Sequence, residues 1–158
     1  MKKIVILLAL IAVSIMSVHA GNPFEARTFT STDGVVLNYR ALDPETVKPK
    51  EKYPLVIFMH GAGERGSDNE RQLIHGSQMF LNPANRDKFP AFVIFPQCPE
   101  NDYWAFTKRP DSFFAMKTED EITPILKSVK ELIDTYLDNP AVDEKNYSMI
   151  DAQLSFKF

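Results

Sequence analysis

The sequence of 158 residues has a single cysteine, Cys98. An intrachain disulfide is therefore impossible, and stability must come from a buried core large enough for one domain. Cys98 itself reads as a small buried hydrophobe rather than a nucleophile. Glycine is scarce: there are six, and none follows Gly76. Histidine occurs only at His19, His60 and His75, and no pair has the H-x-x-x-H spacing that sets two imidazoles on one helical face. Clustered basic residues are also missing. Lys48-Pro49-Lys50-Glu51-Lys52 and Lys108-Arg109 are short, and prolines and acids break them. They read as solvated loops, and no nucleic-acid partner is indicated, because such binding needs concentrated Lys and Arg.

Long apolar runs are absent with one exception, at the start. Lys2 and Lys3 precede an unbroken apolar stretch, Ile4 to Val13, and Val18-His19-Ala20 places small residues at −3 and −1 before Gly21. That is the layout of a secretory signal peptide over residues 1–20. Ten apolar residues are too few to cross a hydrocarbon core of ~30 Å, so an anchor is disfavoured and no stable membrane span is expected after cleavage. The chain is expected to be exported, to the periplasm or outside the cell. With Lys2 and Lys3 removed from the 18 basic residues, 16 remain against 21 acids. The expected mature domain, 21–158, is mildly acidic.

Two strands joined at Asp33-Gly34 open that domain: Glu25 to Ser31, and Val35 to Leu42 with Val35, Leu37 and Tyr39 on one face. Tyr53 to His60 differs in kind, because consecutive apolar residues with β-branching indicate a strand covered on both faces. Ala91 to Phe95 repeats that signature and ends at Pro96. Between them, Ser67-Asp68-Asn69-Glu70 fits a capping box, followed by Leu73 and Ile74 and a stop at Gly76. Gln97 to Thr123, with Trp104, Phe106, Phe113 and Phe114, reads as a long irregular loop of the kind that shapes a site. Thr123-Pro124 then starts a helix whose Ile125, Leu126, Val129, Leu132, Ile133, Tyr136 and Leu137 recur with helical period, ending at Asn139-Pro140. Asn146 to Ile150 begins another strand. Buried strands alternating with helices predict an α/β fold with parallel crossovers.

The chemistry is expected at His60-Gly61-Ala62-Gly63-Glu64-Arg65-Gly66, where a buried strand gives way to a turn. Gly61, Gly63 and Gly66 spell a dinucleotide fingerprint, but that motif needs a helix starting inside the glycines and an acid ending the next strand. The capping box delays the helix to Ser67, and the next strand ends Phe95-Pro96-Gln97. A metal site from His60, Glu64, Asp68 and His75 has the wrong spacing. The third reading is an oxyanion loop, in which backbone N–H groups of a tight turn meet the charge developing on an acyl oxygen.

Tyr53 to Glu70, Y-P-L-V-I-F-M-H-G-A-G-E-R-G-S-D-N-E, together with Pro90 to Glu100, P-A-F-V-I-F-P-Q-C-P-E, resembles the α/β-hydrolase superfamily. Within it, the similarity is to serine hydrolases of the prolyl-oligopeptidase-like and phospholipase/carboxylesterase type. The resemblance covers about Tyr53 to Asn146. It implies a partial α/β-hydrolase fold: a mostly parallel sheet with an amino-terminal β-hairpin and flanking helices, lacking the carboxyl-terminal half. It further implies that Ala62 N–H, helped by Gly63, donates to the oxyanion. His60 and Gly61 would then support the loop, with Glu64 and Arg65 pairing to hold it. Trp104 would line a substrate pocket, though ordinary core packing fits that residue equally. No cofactor and no metal are implied.

The nucleophile of such enzymes lies on a G-x-S-x-G elbow, a turn too sharp to form without its glycines. Ser148-Met149 echoes the motif but has no glycine neighbours, so no catalytic residue is assigned, and the acid and base are missing as well. The chain is expected to be a truncated serine esterase relative, inactive alone, whose completed form would act on a small-molecule or polysaccharide-linked ester. The alternative is a non-catalytic exported module that binds a sugar or acyl ligand.

Overall fold

The computed structural model describes residues 22–105 and 122–150, with the backbone of 107–108, 115–116 and 151. The expected signal peptide and its cleavage site lie outside the described residues, as do Phe106, Phe113, Phe114 and the segment after Asp151.

Strands β1 (Glu25–Thr30) and β2 (Val36–Leu42) form the antiparallel hairpin, with Glu25 opposite Ala41 and Thr30 opposite Val36. Gly34 turns the chain at φ +79°, and its N–H donates to the Ser31 carbonyl at 2.9 Å. The expected alternation holds: Leu37 and Tyr39 are buried while Val36 faces out.

Strands β3 (Tyr53–Met59) and β4 (Phe92–Gln97) are parallel neighbours at the centre of the sheet, which explains their continuous apolar character. β4 does not stop at Pro96. It continues to Gln97, with Pro96 opposite Tyr39 and Gln97 opposite Asn38. Proline removes one ladder donor, which is tolerable so near a strand end.

The chain between these strands departs from the sequence reading. No α-helix starts at Ser67. Single 3₁₀ turns occupy Ala62–Glu64 and Arg71–Leu73, followed by short helices α1 (Ser77–Leu81) and α2 (Pro83–Lys88). Asp68, not Ser67, takes the amides: its Oδ1 accepts from Glu70 N at 2.8 Å and Arg71 N at 3.1 Å. Asn69 sits at φ +55°, which interrupts any helix there. Gly76, at φ +79°, precedes α1 instead of closing a helix.

After β4, a two-residue ladder pairs β5 (Thr107–Lys108) with β6 (Ala115–Met116), so the segment that read as irregular contains a small ribbon. Helix α3 (Pro124–Leu137) forms as the periodicity requires, with Thr123 Oγ1 accepting from Leu126 N at 3.2 Å. Strand β7 (Val142–Asp151) starts earlier than the sequence suggested and runs parallel to β3. The sheet order is β1-β2-β4-β3-β7. It is mixed: the β4-β3-β7 part is parallel, and the hairpin joins it antiparallel.

Each face has its own core. Ile125, Val129, Leu132, Ile133 and Tyr136 of α3 pack on Leu37, Leu55, Ile57 and Ile94. The other face gathers Phe24, Phe58, Phe95 and Val93 beneath Leu73 and Phe80. α3 is also tied to the hairpin, where Glu131 accepts from Thr32 N and Oγ1 at 2.7 and 2.8 Å. Among the described residues, no helix is long and apolar enough to cross a membrane.

Candidate active site

His60 follows β3 at its carboxyl end and is almost fully buried. Its Nε2 accepts from the Cys98 amide at 2.9 Å, so the ring proton sits on Nδ1, 2.6 Å from the Gly61 carbonyl. Both ring nitrogens are thereby engaged in holding backbone. The His60 carbonyl accepts from the Trp104 indole N–H at 3.0 Å, and the two rings are 5.1 Å apart. Cys98 is clasped from both sides, because its carbonyl accepts from Gly66 N at 2.9 Å. Its thiol is buried and pushed up to about 12 by that burial, which suits a packing role.

The turn braced in this way is Ala62–Glu64, entered through Gly61, whose backbone is extended. No side chain caps it. The amides at its start, those of Ala62 and Gly63, have no acceptor within the turn, and both residues are solvent-exposed. Such groups can donate to an anionic oxygen arriving from solvent.

Arg65 and Glu64 hold the loop separately and do not pair, contrary to expectation. Arg65 Nε donates to the Ala62 carbonyl at 2.9 Å and Nη1 to the Asp102 carbonyl at 3.0 Å, with the guanidinium 4.2 Å from the Tyr103 ring centre. Glu64 Oε1 instead lies 3.4 Å from His75 Nε2. Adjacent side chains on a tight turn diverge, so each finds a partner across the loop.

A second support was not read from the sequence. Gln97, buried at the end of β4, donates from Nε2 to Asp68 Oδ1 at 2.7 Å and accepts at Oε1 from Asn69 N, also at 2.7 Å. Its Nε2 also lies 3.4 Å from the Glu64 carbonyl. The Gln97 amide, with the backbone N–H groups of Arg71 and Glu70, holds the Asp68 carboxyl down to about 2. The P-Q-C-P-E stretch carried this signal, but its partners are far away in sequence.

Trp104 is half-buried against the α3-side core. A cavity of about 440 Å³ lies on the other face of the sheet, lined by Val56, Phe80, Phe89, Val93 and Ile150. Neither Trp104 nor any residue of the 60–66 turn contributes to it. Among the described residues, no group of three or more His, Cys, Asp and Glu is placed to hold a metal ion. The two 3₁₀ turns also lack the helix N-terminus that a dinucleotide pyrophosphate needs.

No protein-family model and no curated protein matches the sequence. Among solved structures, a thermostable esterase is similar, at 36% identity and a TM-score of 0.70 over 82% of this chain. This is a partial α/β-hydrolase fold of the esterase type. The chain spans 34% of that esterase's length. A ferulic acid esterase from Anaeromyces mucronatus is 13% identical, with a TM-score of 0.48 over 84% of this chain and 51% of that one, a likeness too slight to build on. Within the α/β-hydrolase fold, the His60 turn occupies the carboxyl end of a central parallel strand, where such sheets bind ligands.

Removing the brace has a measurable cost. His60→Ala deprives the buried Cys98 N–H of its acceptor and leaves a void beside Trp104. Urea unfolding should show a loss of about 3 kcal/mol. His60→Gln, which keeps an acceptor, should recover part of it.

Proposed function

We propose that the chain provides the oxyanion side of an exported, carboxylesterase-like serine hydrolase acting on carboxylic esters or related acyl bonds. The observation that carries this reading is the uncapped Ala62–Glu64 turn at the carboxyl end of β3. In the proposed reaction, a nucleophile attacks the ester carbonyl and negative charge grows on its oxygen. The Ala62 amide, helped by Gly63, donates to that oxygen as the tetrahedral intermediate forms. His60 positions the turn. It does not act as the base, since its ring nitrogens are committed to Cys98 and Gly61.

The nucleophile, base and acid are assigned to no residue of this chain, which is proposed to be inactive alone. No serine has G-x-S-x-G flanks, and His75 lies beside Glu64 on the surface. A serine without a hydrogen-bonded base is a poor nucleophile. Export is supported by the Lys2-Lys3 start, the Ile4–Val13 run and the small residues before Gly21. The substrate class proposed is a small-molecule or polysaccharide-linked ester, with Trp104 beside the acyl or leaving group.

The test has two arms. The purified chain should release no nitrophenol from short nitrophenyl esters above a heat-denatured control. A chimera in which it replaces the matching third of the thermostable esterase should hydrolyse them. Serine-inhibitor-sensitive turnover by the chain alone would refute the missing nucleophile, and a folded but inert chimera would refute the oxyanion role.

A further inference from the structure

We propose that Thr123 is a positioning residue for the candidate site: its one hydroxyl caps α3 and also fixes Trp104 beside the oxyanion turn. What Trp104 does for a substrate rests on the esterase reading; where Trp104 stands does not.

Trp104 and Thr123 lie 19 positions apart in sequence, yet one hydrogen bond joins them. The buried Thr123 Oγ1 has two partners. It accepts from Leu126 N at 3.2 Å, which caps the helix, and it donates to the Trp104 carbonyl at 2.9 Å.

A hydroxyl suits both tasks because it accepts and donates at once. An aspartate would cap a helix as well, and its charge would favour the positive end of the helix dipole. It has no hydrogen to give to a carbonyl. The bond to Trp104 is therefore the part of the arrangement that requires a hydroxyl. The branched Cβ of threonine also restricts χ1, which holds the hydroxyl on its two partners.

Residues 102–104 are gripped from two directions. From the 60–66 turn, Arg65 Nη1 donates to the Asp102 carbonyl at 3.0 Å. The His60 carbonyl accepts from the Trp104 indole N–H, also at 3.0 Å. The Thr123 bond comes instead from α3, which Ile125 and Val129, both fully buried, seat on the sheet. Trp104 is thus held by its indole to the turn and by its backbone to a packed helix. Its place is set by the core. Site side chains need such a supporting shell, since a misplacement of about an ångström can cost a reaction about 100-fold.

Trp104 is the sole tryptophan, so its fluorescence in the full chain reports its surroundings directly. Thr123→Ser keeps both bonds and should match the wild type in emission maximum and acrylamide quenching. Thr123→Asp keeps the cap and loses the donor. Its helix content by far-ultraviolet circular dichroism should hold, while Trp104 emission shifts to the red and quenching rises. Thr123→Val is close in shape and loses both bonds. It should show the same change at Trp104 with a lower urea midpoint, and it carries the test if the buried carboxylate of Thr123→Asp prevents folding.

In the esterase chimera, Thr123→Asp should lower kcat/KM for nitrophenyl esters about 10- to 100-fold, and Thr123→Ser should stay near the parent. An inert parent chimera would count against the esterase reading alone, and the fluorescence of the full chain would still decide the placement. Wild-type emission and quenching in folded Thr123→Asp or Thr123→Val would overturn the proposal, as would Thr123→Ser behaving like Thr123→Val. Unchanged turnover in the Thr123→Asp chimera despite a displaced Trp104 would overturn it too.

Discussion

Gly76→Ala should destabilise the fold by about 4 kcal/mol, from two sources that can be separated. Gly76 has φ +79°, and a Cβ there would lie 2.4 Å from Cζ of Phe58. The left-handed backbone costs a non-glycine residue about 1–2 kcal/mol, and overpacking adds typically about 1–3. Phe58 has little freedom to yield, because it is buried and stacked on Phe95 at 4.6 Å between centroids. Gly34 isolates the backbone share: it has the same φ, but nothing lies within 4 Å of its would-be Cβ. Gly34→Ala should therefore cost only about 1–2 kcal/mol. Combining Gly76→Ala with Phe58→Leu should cost less than the sum of the two single changes, since the smaller side chain relieves the clash. Equal losses at Gly34 and Gly76 in urea titrations would show that the predicted collision with Phe58 is not there.

Phe95→Ala should cost about 3–5 kcal/mol. Phe95 is fully buried and central to an aromatic cluster, edge-on to Phe24 at 5.1 Å, stacked on Phe58 and edge-on to Phe80 at 5.7 Å. Deleting it opens a void shared by three rings on β4, the strand that carries Gln97 and Cys98 to the candidate site. Single domains are stable by about 5–15 kcal/mol, so much of the margin goes. The near-ultraviolet circular dichroism of the cluster should collapse at a lower urea concentration than in the wild type. An unchanged midpoint would mean that Phe95 is not at the centre of that core.

Legibility in the sequence followed the range of the forces involved. The β3 and β4 runs were readable because a strand covered on both faces is apolar throughout, and α3 because one stripe repeats for four turns. The hairpin announced itself through Asp33-Gly34. The region 67–76 misled because Ser67 and Asp68 both offer an N-cap oxygen, and the choice between them is made by Gln97, nearly thirty residues away. α2 carries the same Asn-Pro start signal as the Thr-Pro of α3, with Asn82 Oδ1 accepting from Ala84 N at 2.9 Å. It escaped notice because Pro83–Lys88 buries no residue and so has no apolar period.

At the candidate site, the location of the turn and the bracing role of His60 came from strand-end position and resemblance. The true partners of Arg65 and Glu64 did not, because Asp102, Tyr103 and His75 meet them only after the loops fold together. Gln97 was hidden for the same reason.

The central claim concerns one backbone hydrogen. Ala62→Pro in the esterase chimera removes that N–H at the first position of the turn, where proline's fixed φ is compatible. Stopped-flow and steady-state assays should show kcat falling about 100- to 1,000-fold with KM little changed, while Ala62→Ser, which keeps the N–H, stays near the parent. An Ala62→Pro chimera that turns over substrate as fast as its parent would contradict the account.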